Sequence, residues 1–234
     1  YSTLNWLENW IDWVEVGFTE NLTIAGLSNT NCYDVQVRAR NIAGNGNSSR
    51  ESGRPVSVPT APTITGLVSG NSSIGVTFTE TADNGGTALT RYEYRVGTGT
   101  WVSLTTDPDF VFGSSTFYRI TGLTNGNNYS ISMRAVNAAG NGAASNSLSA
   151  TPMTTPETPV IAAVTPLDGA LRVTFTAPAS NGGSAITRYT ITSIPDGKTV
   201  TTTAIATSGI ITGLTNGTSY TFTVIATNTR GNST

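Results

Sequence analysis

Hydrophobic and polar residues alternate one for one over several stretches of the chain. In one of them Tyr129, Ile131, Met133 and Ala135 share one face, while Ser130, Ser132 and Arg134 share the other. The same rhythm carries Tyr33, Val35, Val37 and Ala39 and, later, Tyr220, Phe222, Val224 and Ala226. A period of two sustained over this length predicts a β-strand with one buried face. The polar residues on the other face predict antiparallel sheets that meet water on one side. Upstream, "SIGVTFTE" (Ile74, Val76, Phe78) matches "ALRVTFTA" (Leu171, Val173, Phe175), and each is followed by a Gly-Gly turn, in "DNGGTALTRYEY" or "SNGGSAITRYTI". These read as strand, turn, strand units, with Gly85–Gly86 and Gly182–Gly183 supplying the backbone freedom of the turn. They lack the strand-then-helix setting of a phosphate-binding loop.

Each alternating stretch belongs to a longer repeat. "IAGLSNTNCYDVQVRARNIAGNG" from Ile24, "ITGLTNGNNYSISMRAVNAAGNG" from Ile120 and "ITGLTNGTSYTFTVIATNTRGNS" from Ile211 fall into register, with starts 96 and 91 residues apart. That period is the size of one small β-sandwich rather than of a solenoid repeat. The order PTAPTI, IGVTF, NGGTALTRYEY, ITGLTNGNNY, SMRAVNAAGNG resembles the fibronectin type III module in its bacterial and bacteriophage form. The resemblance covers nearly the whole chain and is strongest in the second and third repeats. It implies an all-β fold of tandem immunoglobulin-like antiparallel β-sandwiches, with the first and last modules incomplete. It also implies a tyrosine corner, a Leu six residues before a Tyr, at Leu27/Tyr33, Leu123/Tyr129 and Leu214/Tyr220. The tryptophan usual on strand B of the family is Phe78 and Phe175 here, so an aromatic still fills that place.

The resemblance divides the chain into residues 1–56, a module lacking strands A and B, residues 57–154, a complete module, and residues 155–234, a module lacking strand G. On this division the chain is expected to be a fragment of a longer array, and an incomplete sandwich exposes core unless the missing strands lie nearby. Proline gathers at "RPVSVPTAP" (54–62) and "TPMTTPETP" (151–159), predicting short, stiff crossings and a semi-rigid rod of modules.

"NWLENWIDW", residues 5–13, concentrates three of the four tryptophans. Leu4, Leu7, Ile11 and Val14 have the spacing of one helix face, which allows a short amphipathic helix. Aligned with "YEYRVGTGTWVSL", however, the segment reads as a hairpin of strands C and C′ with a Trp-bearing turn, placing Trp13 on Trp101. An isolated helix this short is marginal in water.

Composition narrows the chemistry. Only 11% of residues are charged, against about a quarter in ordinary globular proteins, and the net charge is −2. The 12 basic residues are scattered and form no stripe for phosphates, so no nucleic acid is expected as a partner. No apolar run approaches the roughly 20 residues of a membrane span, and no export leader is visible. The absence of histidine removes Ser-His-Asp and Cys-His catalysis and His-ligated metals. The sole cysteine, Cys32, reads as a small buried apolar side chain.

Glu80, Asp83, Asp107 and Asp109 are the carboxylates considered. Asp107-Pro108-Asp109 could give oxygens to calcium, but it lacks the further acidic positions of a loop site and reads as a turn. Asn-x-Ser/Thr occurs at Asn21, Asn47, Asn71, Asn128, Asn216 and Asn232, a frequency that follows from a chain rich in Asn, Ser and Thr. No residue is therefore put forward as catalytic, cofactor-binding or metal-binding, no cofactor is expected, and enzymatic activity is not expected.

The remaining candidate contacts are Trp6 and Trp10, which could stack on sugars or cover the module, and the loops ending at Gly46 and Gly142. The expected function is a structural spacer or adhesive array in a larger extracellular surface or secreted protein, or in a bacteriophage tail or fibre. The alternative is an accessory carbohydrate-binding array of a secreted polysaccharide-degrading enzyme. Expected partners are proteins of the same assembly and surface glycans, with no membrane insertion.

Overall fold

The computed structural model describes residues 2–5, 13–17, 21–104 and 116–234. Among them there is no α-helix, and every strand pairing whose register is resolved is antiparallel.

In the first repeat, β1 (Ser2–Asn5), β2 (Tyr33–Asn41) and β3 (Gly44–Gly53) form one sheet in the order β1-β2-β3. Ser2 lies opposite Gln36 and Asn5 opposite Tyr33, so β1 takes the place expected of strand C. The expected second arm is not seen as a strand, since residues 13–17 have no regular structure. Residues 6–12, and with them Trp6, Trp10 and most of the helical alternative, lie outside the described residues. Alternation puts Val37 on an inward face, yet it is 57% exposed, while its counterparts Met133 and Val224 are 1% and 5% exposed. The pattern is that of a core strand, but burial requires an opposing layer, and among the described residues none covers Val37.

The second repeat contributes β4 (Thr63–Gly70), β5 (Ser73–Thr79), β6 (Leu89–Val96), β7 (Val102–Ser103), β8 (Phe117–Thr121), β9 (Tyr129–Asn137), β10 (Gly140–Asn141) and β11 (Leu148–Ala150). One sheet runs β4-β5-β8; the other runs β10-β9-β6-β7, with β11 also pairing β9. Ile74, Val76 and Phe78 on β5, and Ile131, Met133 and Ala135 on β9, are all buried, as their alternation requires. Phe78 meets Tyr92 edge-on, with centroids 5.3 Å apart.

The third repeat also forms two layers. β12 (Val160–Leu167), β13 (Ala170–Thr176) and β16 (Ser208–Thr212) form one layer, in the order β12-β13-β16. β14 (Arg188–Ile194), β15 (Thr199–Thr203), β17 (Thr221–Asn228) and β18 (Gly231–Asn232) form the other, in the order β15-β14-β17-β18. Val173, Phe175 and Ile211 from the first layer and Tyr189, Ile191, Val224 and Ala226 from the second make one buried cluster, joined by Leu214. Phe175, standing where the family's tryptophan was expected, packs on Tyr189 at 4.7 Å between centroids.

The chain separates into two compact units whose borders cut through the second repeat. One comprises Tyr1–Ile64, Phe78–Thr116 and Ile131–Ser147; the other comprises Thr65–Thr77, Phe117–Ser130 and Leu148–Thr234. The first linker therefore lies wholly within the first unit and the second linker wholly within the second.

Candidate functional site

The three tyrosine corners form as expected. Tyr33 Oη accepts from the Ser28 N–H at 2.9 Å, Tyr129 Oη from Thr124 at 3.0 Å and Tyr220 Oη from Thr215 at 3.1 Å. In each the donor is the residue after the corner leucine, so the aromatic ring ties the turn before its strand to the strand itself.

Of the carboxylates, Asp107 and Asp109 lie outside the described residues. Asp83 serves its own loop and the first linker: its Oδ1 accepts from Gly85 N–H at 2.8 Å, and its carbonyl accepts from Thr60 N–H at 2.9 Å. Among the described residues no group of three or more His, Cys, Asp and Glu could hold a metal ion. Cys32 is half-buried rather than buried, a correction to its reading as core. The loops ending at Gly46 and Gly142 are built by turn chemistry, since Asn41 Oδ1 accepts from Ala43 N–H at 2.9 Å and Asn137 Oδ1 from Ala139 N–H at 2.9 Å.

Two features emerge that sequence patterning did not find. The first is a repeated cation–π pair: Arg38 lies 3.8 Å over Trp13, and Arg134 lies 4.3 Å over Trp101. Their agreement supports the alignment of Trp13 with Trp101. Arg95 also approaches Trp101, at 4.7 Å. Beside it Glu93, 6% exposed, accepts from Arg91 Nε and Arg134 Nε, each at 2.7 Å. Burial pushes the Glu93 carboxyl up, but the hydrogen bonds and charges of Arg91 and Arg134 outweigh it and hold it below its ordinary value.

The second feature is the pair of linker joints. In the first, Ser57 N–H donates to Gly85 carbonyl at 2.9 Å, and Asn137 Nδ2 donates to the carbonyls of Ser57 and Asn84 at 2.7 and 2.8 Å. In the second, Thr154 N–H donates to Gly182 carbonyl at 2.8 Å, and Asn228 Nδ2 donates to the carbonyls of Thr154 and Asn181, each at 2.8 Å. These three bonds use equivalent atoms in the two joints.

The fibronectin type III domain model matches residues 57–151 and 155–234. The chain belongs to the fibronectin type III family. Its relatives include Exoglucanase B of Cellulomonas fimi, 32% identical over 92% of this chain and 20% of that protein. Endoglucanase B of Cellulomonas fimi is 33% identical over 51% of this chain and 12% of that protein. The chain thus spans a fifth or less of the curated relatives it matches. Among the described residues of this fibronectin type III chain no helix is long and apolar enough to cross a membrane. The Gly-Gly turns were legible as turns in the sequence; that they also face a linker was not, because a glycine is read from sequence only as local freedom.

Proposed function

We propose that the chain is a non-catalytic spacer array of a larger secreted polysaccharide-degrading enzyme. Its modules are residues 1–56, lacking strands A and B, residues 57–154, and residues 155–234, lacking strand G. The observation that carries the reading is the duplicated joint, in which each linker is bonded to the turn of the module it enters instead of running free. The relatives support its home: both are named glucanases, and the likeness covers a small share of each. Neither name speaks of a virion, so the bacteriophage reading has no support beside it.

The tryptophans argue against a sugar platform in the described part. A sugar stacks on a bare aromatic face, and a guanidinium competes for that place at Trp13, as two do at Trp101. Partners are then the flanking parts of the same extracellular protein, and any glycan contact is weak and multivalent. Affinity electrophoresis of the 234-residue chain through gels containing soluble β-1,4-glucan tests this. Unchanged mobility is expected; retardation that saturates at micromolar glucan would overturn the spacer role in favour of carbohydrate binding.

A further inference from the structure

We infer that the Asn-Gly-Gly turn, closed by the asparagine that opens the last loop of the same repeat, is a socket that seats the end of the preceding repeat. Asn-Gly-Gly is then the coupling signature of the array. The two glycines have separate tasks. The first, Gly85 or Gly182, faces the linker: a Cβ there would stand 2.0 Å from the Ser57 carbonyl oxygen or 2.3 Å from that of Thr154. The second, Gly86 or Gly183, faces the turn of the preceding repeat: a Cβ would stand 2.6 Å from the Asn29 carbonyl oxygen or 2.4 Å from the Gly126 nitrogen. No side chain fits at any of the four positions without moving backbone.

Left-handed geometry alone does not account for this closeness. All four glycines have positive φ, between +73° and +84°, but so does Gly217, at +81°, and a Cβ on Gly217 would meet nothing within 4 Å. Conformation and close approach are thus separable, and the socket glycines have both.

Hydrogen bonds complete the seat. In the first joint Asn29 Nδ2 donates to Ser57 Oγ at 2.8 Å. In the second, Gly126 N–H donates to the Pro152 carbonyl at 2.9 Å and Met153 N–H to the Gly70 carbonyl at 3.0 Å, while Arg230 Nη2 reaches the Ser69 carbonyl at 3.2 Å. Asn125 and Asn29, the residues presented to the two sockets, come from equivalent turns of the first two repeats. Asn137 and Asn228 lock the linker and the turn together by donating to a carbonyl of each.

The inference deepens the spacer reading and rests on it only for its purpose: retention on glucan would remove the purpose and leave the socket standing. The socket is tested on the whole chain by residual dipolar couplings measured on β5 and β8, before the second joint, and on β14 and β17, after it. One alignment tensor should describe both sets in the parent. Gly183→Ala should split them into two tensors, whereas Gly217→Ala, with the same backbone strain and open space, should keep one. Should Gly183→Ala unfold the third repeat, Arg230→Ala decides, since it removes only a surface contact of the joint and should make the two tensors diverge measurably. A single unchanged tensor in Gly183→Ala or, where that variant is unfolded, in Arg230→Ala overturns the socket. So does a Gly217→Ala chain that loosens as much as Gly183→Ala.

Discussion

At the scale of single residues, the tyrosine corner and the Glu93 cluster show two ways in which a polar atom is held in a sheet protein with few charges. Tyr220 Oη accepts from Thr215 N–H and donates to Asp196 Oδ2 at 2.7 Å. Tyr220→Phe removes both bonds while keeping the ring, so the third repeat should lose about 1 to 2 kcal/mol in urea unfolding; an unchanged midpoint would refute the corner's role. Glu93 makes a pH prediction. Its folded carboxyl is held below the ordinary value of 4.5, so the arginine cluster contributes stability that is present above that pH and lost as pH falls below it. Melting temperatures of the parent should therefore fall on acidification more steeply than those of Glu93→Gln. Parallel curves would show that the carboxylate is not the group that matters.

At the scale of strands, equal sequence patterns have unequal consequences. β2 and β17 carry the same alternation, yet Val224 is 5% exposed and Val37 is 57% exposed. Val224→Ala should cost about 2 kcal/mol of stability, the loss of two buried methyl groups and the space they leave. Val37→Ala should stay within about 0.5 kcal/mol. Comparable losses at both sites, measured by chemical unfolding, would mean that a layer does cover β2. The strands and their inward residues were legible in the sequence because a period of two is a local property, and the corners were legible through the resemblance to the fibronectin type III module. The exposure of Val37 was not, since it depends on a facing layer. Nor was the Arg38–Trp13 stack, which needs cross-strand neighbours that no local pattern specifies.

At the scale of the whole molecule, the linkers are bonded segments of the structure. The amides of Ser57, Thr154 and Gly126 all donate to backbone carbonyls, so in the folded chain their hydrogen exchange should be slowed well below the rate of an open proline-bounded linker. Exchange at the open-chain rate would show that the linkers are free. The atoms engaged are mostly peptide N–H and C=O groups, which every non-proline residue offers, and the linker residue gripped is Ser57 in one joint and Thr154 in the other. Substitutions along the linker can therefore accumulate without disturbing the grip, provided the glycines and the asparagine remain. A gene segment encoding one such module can be duplicated or moved between arrays and bring its own fitting with it, so arrays of this kind can change length through recombination without a new interface having to evolve.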